Sequence, residues 1–427
     1  MAPATHQAID AVWRIESARL IARLTRMVRD VAVAEELAQD AFLIALERWP
    51  QSGLPENPGA WLMATAKHRA IDMLRRSARL EHKHEQIARD MALTLAMDRT
   101  ELEATLDEGA GDELLELIFI CCHPLLSTPA RLALTLRLLG GLNIPEIARA
   151  FLASEATIAQ RIVRAKRTLA QARATFEVPQ GEDFRARIAS VLEVVYLIFN
   201  EGYSATSGEH WTRPELCEEA LRLGRILAEL VPEEPEVHGL LALMEIQASR
   251  MAARLGQAGE PVLLLDQDRS RWDRLLIARG LRALERAKAL DRPMGPYRLQ
   301  ASIAAAHARA PTPEQTDWVA IAALYEALAR ISPSPVVELN RAVAIAMAFG
   351  PQAGLQLVDR LLEEPSLKEY HLLPSVRGDL LGKLGRAQEA AAEFERAAAL
   401  TQNERERELL LGRFAESAAR SGEDLLA

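Results

Sequence analysis

LNIPEIARAFLASEATIAQRIVRAKRTLAQAR, residues 142–173, carries the punctuation of two short helices joined by a tight turn. Asn143 and Pro145 suit the start of the first helix, and Ile144, Ile147, Ala148 and Phe151 form its inner face. The turn is Leu152-Ala153, and Ser154 is placed to cap the second helix by accepting from its free amides. There Ile158, Ile162, Ala165 and Leu169 recur at i, i+4, i+7 and i+11, one apolar stripe turned towards a core. Thr157, Gln160, Arg161, Arg164 and Thr168 take the opposite stripe. A helix-turn-helix needs this partition: polar side chains reach base edges in the major groove while the apolar stripe fixes the angle of entry. Arginine suits guanine and glutamine suits adenine, whereas Lys166, Arg167 and Arg173 are placed for phosphates. An ordinary helical hairpin with a basic exterior is the plainer alternative; cap, turn and charge reversal together favour a nucleic-acid reader.

The net charge of -9 looks wrong for DNA binding until the chain is divided. Residues 154–173 hold five Lys or Arg against one Glu, and residues 61–79 hold five against one Asp, so each window is +4 and the remainder is -17. Local charge, more than the sum, governs contact with phosphates. The earlier window lies in AWLMATAKHRAIDMLRRSAR, a predicted helix from Ala60 to Arg79. Its polar face carries His68, Asp72, Arg75 and Arg79, with Lys67, Arg69 and Arg76 flanking. Such a face beside Trp61 could hold single-stranded DNA by phosphate contact and base stacking, although Trp61 equally suits a core. Upstream, residues 8–49 read as one helix with Ala38, Phe42, Ala45 and Trp49 on a single stripe, ended by Pro50.

The chain of 427 residues exceeds one ordinary core, so several domains are expected. Alanine, leucine, arginine and glutamate dominate and aromatics make up 5%, which predicts an all-α fold. There is no leader-like segment and no run of about 18 apolar residues, so a soluble cytoplasmic protein without membrane contact is expected. Three cysteines cannot build a disulfide framework, and Cys121-Cys122-His123 lacks the second ligand pair of a zinc site. Buried thiols are expected there, with no metal and no cofactor.

Residues 1–80 form the first expected domain and 81–111, polar and ending in DEGAGDE, a linker. The second domain spans 112–178: DELLELIFICC stops at His123-Pro124, and Ser127 or Thr128 with Pro129 opens RLALTLRLL, which stops at Gly140-Gly141. From 179 to 427, acidic helices alternate with proline-bearing loops such as VPEEPE, DRPMGP, ARAPTPEQ and SPSP, and read as stacked helical hairpins. Gly350-Pro351-Gln352-Ala353 and Gly385-Arg386-Ala387-Gln388 lie 35 residues apart, close to the 34-residue tetratricopeptide period. In the later unit Leu381, Gly382, Ala390, Phe394 and Ala397 occupy the positions where that repeat alternates small and large residues.

The order of these parts resembles the extracytoplasmic-function sigma factors, which keep only the second and fourth conserved sigma regions. AEELAQDAFLIALERW, residues 34–49, is similar to the helix with which those proteins grip the clamp helices of the polymerase β′ subunit. NPGAWLMATAKHRAIDMLRR is similar to their promoter-melting helix, and the helix-turn-helix resembles their minus-thirty-five reader. The resemblance covers roughly residues 8–175. It implies that Glu36, Gln39, Asp40 and Glu47 contact core RNA polymerase, an acidic set for basic clamp helices. It implies that Lys67, His68, Asp72, Arg75 and Arg76 meet the non-template strand of promoter DNA, and that the second domain works against the β subunit. His68 stands where the family often has Asn, and Ala156 with Ala159-Gln160 replaces a common Gly and a Lys-Ser pair, which bears on promoter sequence more than on role. The remaining chain resembles the extension of one sigma subgroup through NEGYSAT at 200–206, DQDRSRWDR at 266–274, GPYRLQASIAAAHA at 295–308 and SPVVELNRAVA at 334–344. That implies a tetratricopeptide-like domain that modulates activity.

Catalysis in the extension would rest on Asn200, Glu201, Tyr203, Asp266, Asp268, Asp273 and His307. No phosphate-binding glycine loop, nucleophile elbow or metal-spaced His pair accompanies them. They are expected to cap helices and tie the first repeats together, and no enzymatic activity is expected. A conventional operator-binding regulator would share the helix-turn-helix but leaves residues 34–79 unexplained. The -17 remainder could attract the +4 helices, so an intramolecular contact of the extension with the two small domains is expected.

Overall fold

The computed structural model describes residues 2–80, 110–172, 174–256 and 259–424; the side chains of 2–8, 10, 75–80, 110–112 and 422–424 lie outside the described residues. Among the described residues there are eighteen α-helices, a few short 3-10 turns and one parallel pair of two-residue strands, the all-α architecture expected. No described helix is long and apolar enough to cross a membrane. The chain divides into two compact units, residues 1–195 and 196–427.

In the first unit, α1 (Ala2–Val28), α2 (Val31–Ser52) and α3 (Pro58–Leu80) pack on one another. The single helix expected over 8–49 is two. Arg29 turns into the left-handed region at φ 52°, and the Asp30 carboxylate caps the new start by accepting from Ala32 N at 2.7 Å and Val33 N at 3.1 Å. Pro50 does not end α2. Its ring costs one amide bond, the helix runs on to Ser52, and Gly53 turns the chain at φ 82° while donating to Trp49 O at 3.0 Å. Trp49 is buried and meets Trp61 edge to face at 5.3 Å, so Trp61 belongs to the seam between α2 and α3.

The linker expected at 81–111 falls almost wholly outside the described residues. Beyond it come α4 (Ala110–Cys121), α5 (Thr128–Leu138), α6 (Ile144–Ala150) and α7 (Glu155–Gln171), with α7 packed on α5, α6 and α2. Cys121 and Cys122 are free and fully enclosed here, and burial pushes the Cys122 thiol up to about 12. The division between the units falls inside α8 (Gly181–Tyr203). Arg187 donates to Phe119 O at 2.8 Å and Ser190 to Cys122 O at 2.9 Å, so the first turns of α8 brace α4.

The second unit continues with α9 (Pro214–Leu230), α10 (Pro235–Ala248), α11 (Arg274–Ala289), α12 (Pro296–Arg309), α13 (Trp318–Ile331), α14 (Pro335–Phe349), α15 (Pro351–Leu361), α16 (Leu372–Lys383), α17 (Ala387–Leu400) and α18 (Glu404–Asp424). Most pack on their sequence neighbours, while α12 lies mainly against α10, and the apolar interior is a series of local clusters, one around Leu243, Ile246 and Trp272, another around Leu355, Leu381 and Phe394. Gly350 and Gly385, the two expected hairpin glycines, take φ 98° and 76°. Leu381, Ala390, Phe394 and Ala397 are buried as read, but a Cβ on Gly382 would meet nothing closer than Ala390 Cβ at 3.9 Å. Within these two hairpins the tight glycines are Gly378, against the Phe394 ring at 3.0 Å, and Gly354, against Ala346 Cβ at 2.5 Å. Ser207–Gly208 pairs with Gln402–Asn403, and Asn403 Nδ2 donates to Ala205 O and His210 O at 3.2 and 3.0 Å, which ties the first loop of this unit to its last helix.

Candidate nucleic-acid interface

α6 and α7 meet at the turn read from the sequence. Asn143 and Glu146 cap α6 reciprocally: Glu146 N donates to Asn143 Oδ1 at 2.8 Å, and Asn143 N to Glu146 Oε2 at 2.7 Å. Leu152 takes φ 45° at the turn, and Ser154 Oγ accepts from Thr157 N at 3.1 Å. Ile158, Ile162, Ala165 and Leu169 are all buried, each large member contributing about 1.5–3 kcal/mol of apolar burial. On the other side Gln160, Arg164, Arg167 and Thr168 are exposed, with Thr157 and Arg161 half-buried. A donor-rich face is thus held outward by an apolar stripe. Arg173 lies outside the described residues.

On α3, His68, Arg69 and Asp72 are exposed and Lys67 is half-buried. His68 Nδ1 lies 2.6 Å from Ala64 O, and Arg69 reaches Asp40 of α2 at 3.1 Å. Arg75, Arg76 and Arg79 follow on the same helix, in the stretch whose side chains lie outside the described residues. On α2, Glu36 and Glu47 are exposed, Gln39 and Asp40 half-buried. Two residues of this helix escaped the sequence reading. Leu43, 57% exposed, sits in the acidic stripe of Glu36, Asp40 and Glu47 and gives it an apolar centre. Glu35 is only 4% exposed and is the junction of the unit: Arg137 Nε donates to it at 2.6 Å, Gln39 Nε2 at 2.8 Å, and Lys166 Nζ closes the group.

Lys166 therefore holds a carboxylate of α2 in this conformation. Glu36 and Gln39 share a cleft of about 280 Å³ with Ala159 and Val163 of α7, Val163 being 64% exposed. Three further contacts clasp the two halves of the unit: Trp13 Nε1 donates to Gly141 O at 3.1 Å, Arg23 Nε to Glu113 at 2.9 Å, and Arg14 reaches Glu146 at 3.5 Å. The groups assigned to an acidic docking face and to a basic reading face are thus brought together.

Three of the polar residues singled out in the extension, Asp273, Asp268 and Glu201, do structural work. Asp273 caps α11 by accepting from Leu275 N at 2.8 Å and Leu276 N at 3.1 Å, and Asp268 accepts from Ser270 N at 2.9 Å. Glu201 pairs with Arg213 and accepts from Thr206 Oγ1 at 3.0 Å. Burial, then Arg250 and Arg269, push His307 down to about 4, which leaves it neutral.

Residues 14–80 match the model for sigma-70 region 2, and residues 116–169 match a model for sigma-70 region 4. Residues 187–288 match a family of unknown function (DUF6596). An uncharacterised protein of Rhizobium meliloti (strain 1021) is 46% identical over 383 residues, 89% of each chain. A probable RNA polymerase sigma factor, RfaY, of Xanthomonas campestris pv. campestris is 29% identical over 146 residues, 34% of each chain.

Proposed function

The chain belongs to the sigma-70 family of transcription initiation factors, carrying regions 2 and 4 ahead of a helical extension, and from that premise we propose how its surfaces divide the work. As a sigma factor it joins core RNA polymerase at promoter DNA and has no catalytic chemistry of its own. In this reading α2 offers Glu36, Gln39, Asp40 and Glu47, with Leu43 at their centre, to the β′ clamp helices. The α3 face of Lys67, His68, Asp72, Arg75 and Arg76 holds the melted strand. Helix α7 reads the upstream element through Thr157, Gln160, Arg161 and Arg164, with Arg167 and Lys166 on phosphates, while the second small domain docks on the β subunit. The observation that carries this is the outward Gln160, Arg164 and Arg167 on a helix anchored by four buried residues.

The Glu35 junction supports a closed free state in which Lys166 is engaged and the cleft beside Glu36 is shared with α7. Docking on polymerase replaces these contacts by intermolecular ones, separating the domains to span two promoter elements. Residues 1–80, 81–111, 112–178 and 179–427 are the functional segments proposed, the last a tetratricopeptide-like domain that modulates activity through contact with the sigma domains in the cytoplasm. The test is run-off transcription with core polymerase, comparing the full chain with one ended after the first turns of α8. Unchanged output after truncation would argue against modulation; loss or gain gives its sign.

A further inference from the structure

Arginines that leave water elsewhere in the second unit end on oxygen acceptors. Arg377 meets Asp359 at 2.9 Å and Glu393 at 2.7 Å. Arg269 closes the end of α12 by donating to His307 O at 2.9 Å, Ala310 O at 2.6 Å and Thr316 Oγ1 at 3.1 Å. Arg250 and Arg254 are different. Among the described residues neither has a carboxylate within ion-pair distance, and each finds one oxygen: Gln247 Oε1 at 3.2 Å for Arg250, Tyr203 O at 3.0 Å for Arg254. A guanidinium has five donors; the Nε of both is buried without an acceptor, as it is in Arg269 and Arg298, but the terminal nitrogens of those two meet three and two oxygens where Arg250 and Arg254 meet one each.

The two cations also converge. Both lie over the Tyr203 ring, at 3.7 Å from its centroid for Arg254 and 5.8 Å for Arg250. Arg254 is 5.7 Å from Trp211, and Arg250 is 5.8 Å from Trp272, which is only 3% exposed. The indole Nε1–H groups of Trp211 and Trp272 are likewise buried without an acceptor. Ring faces satisfy part of the guanidinium charge but none of its N–H donors. Burial holds the Arg254 guanidinium below its ordinary range; the Tyr203 hydroxyl opposes that shift and the like charge of Arg250 adds to it. Donors without acceptors, gathered between flat apolar walls, match an acceptor-rich ligand with a flat body.

We propose that Arg250 and Arg254, walled by Tyr203, Trp211 and Trp272, form a binding site in the extension for a small aromatic anion, a carboxylate or phosphate carried on a planar ring. The anionic group takes the free guanidinium and indole donors, and the ring stacks among the aromatic side chains. Neither polymerase nor promoter DNA enters this assignment, so it stands or falls apart from the transcriptional role.

Isothermal titration of the full chain with phenyl phosphate, benzoate, inorganic phosphate and uncharged phenol tests it. The expected result is saturable binding of phenyl phosphate or benzoate, at least about tenfold tighter than inorganic phosphate, with none for phenol. Arg250→Gln and Arg254→Gln should each weaken binding at least about tenfold while the circular dichroism spectrum is kept. Arg250 is half-exposed, so Arg250→Gln decides the matter if Arg254→Gln fails to fold. Absence of saturable binding by every anion at about 10 mM, or binding indifferent to Arg250→Gln, would overturn the site. Equal affinity for inorganic and phenyl phosphate would overturn the aromatic ligand class.

Discussion

Glu35 illustrates what a single side chain does that periodicity does not reveal. In AEELAQDAFLIALERW it reads as one more acid on a solvated face; its burial depends on Arg137 and Lys166, 102 and 131 positions away. Glu35→Ala leaves two half-buried cations without their carboxylate and should cost about 2 kcal/mol in urea unfolding, more than Glu36→Ala on the exposed face of the same helix. Arg164 was legible, because the apolar stripe of α7 dictates which residues face away from the core. Arg164→Ala should cost roughly 1–3 kcal/mol of discrimination between cognate and altered promoters if it reads a base, measured by competition binding of the polymerase complex. Uniform loss across sequences would reassign it to phosphate. His307 gives a pH dependence. Its titration falls from 6.5 unfolded to about 4 folded, so between those values the unfolded chain binds the extra proton. Its contribution is complete above pH 6.5 and is lost as pH falls towards 4, about 2 kcal/mol of it by pH 5. Urea midpoints at pH 7 and pH 5 should differ less in His307→Asn by that amount, and an unaltered difference would contradict it.

Helices were read wherever their punctuation is local. Asn143, Ser154, Gly350 and Gly385 each act through their own backbone or the next turn, and all four stand where expected. The break at Arg29 was missed because no Gly or Pro marks it, only the Asp30 cap, and the amphipathic period continues almost unbroken through it. Pro50 misled for the converse reason: a helix tolerates it near its end, where few amide bonds remain to be lost. Gly382 looked like the packing glycine by position in the repeat, but close approach depends on how neighbouring helices cross, which no period records. Gly354→Ala and Gly378→Ala should each destabilise the second unit by about 1–3 kcal/mol, because the added methyl meets neighbouring helices. Gly382→Ala should instead be neutral or stabilising by about 0.5–1 kcal/mol, since the site has room and alanine favours helix. Thermal unfolding of the three variants separates them, and equal losses would mean that the helix crossing is not as described.

At the scale of the whole molecule, the division of labour follows from charge and length. A chain of net charge -9 carries two +4 helices in its first unit, and its second unit is a succession of local helical clusters with its own anion-seeking arginines. The sigma-type order of parts was legible because each part is set by short-range pattern; the clasp of α2 against α7 was not, since it joins residues more than a hundred positions apart. Truncation within the linker between α7 and α8 should destabilise the first unit, because Arg187 and Ser190 of α8 brace α4, whereas a chain ended at Tyr203 should keep its unfolding midpoint for that unit. The most direct measurement is co-purification of the full chain with core RNA polymerase at low ionic strength without DNA, followed by run-off transcription from a cognate promoter. A stable complex and a discrete transcript that neither component yields alone is the predicted result; absence of any complex from folded, intact chain would contradict the sigma assignment itself.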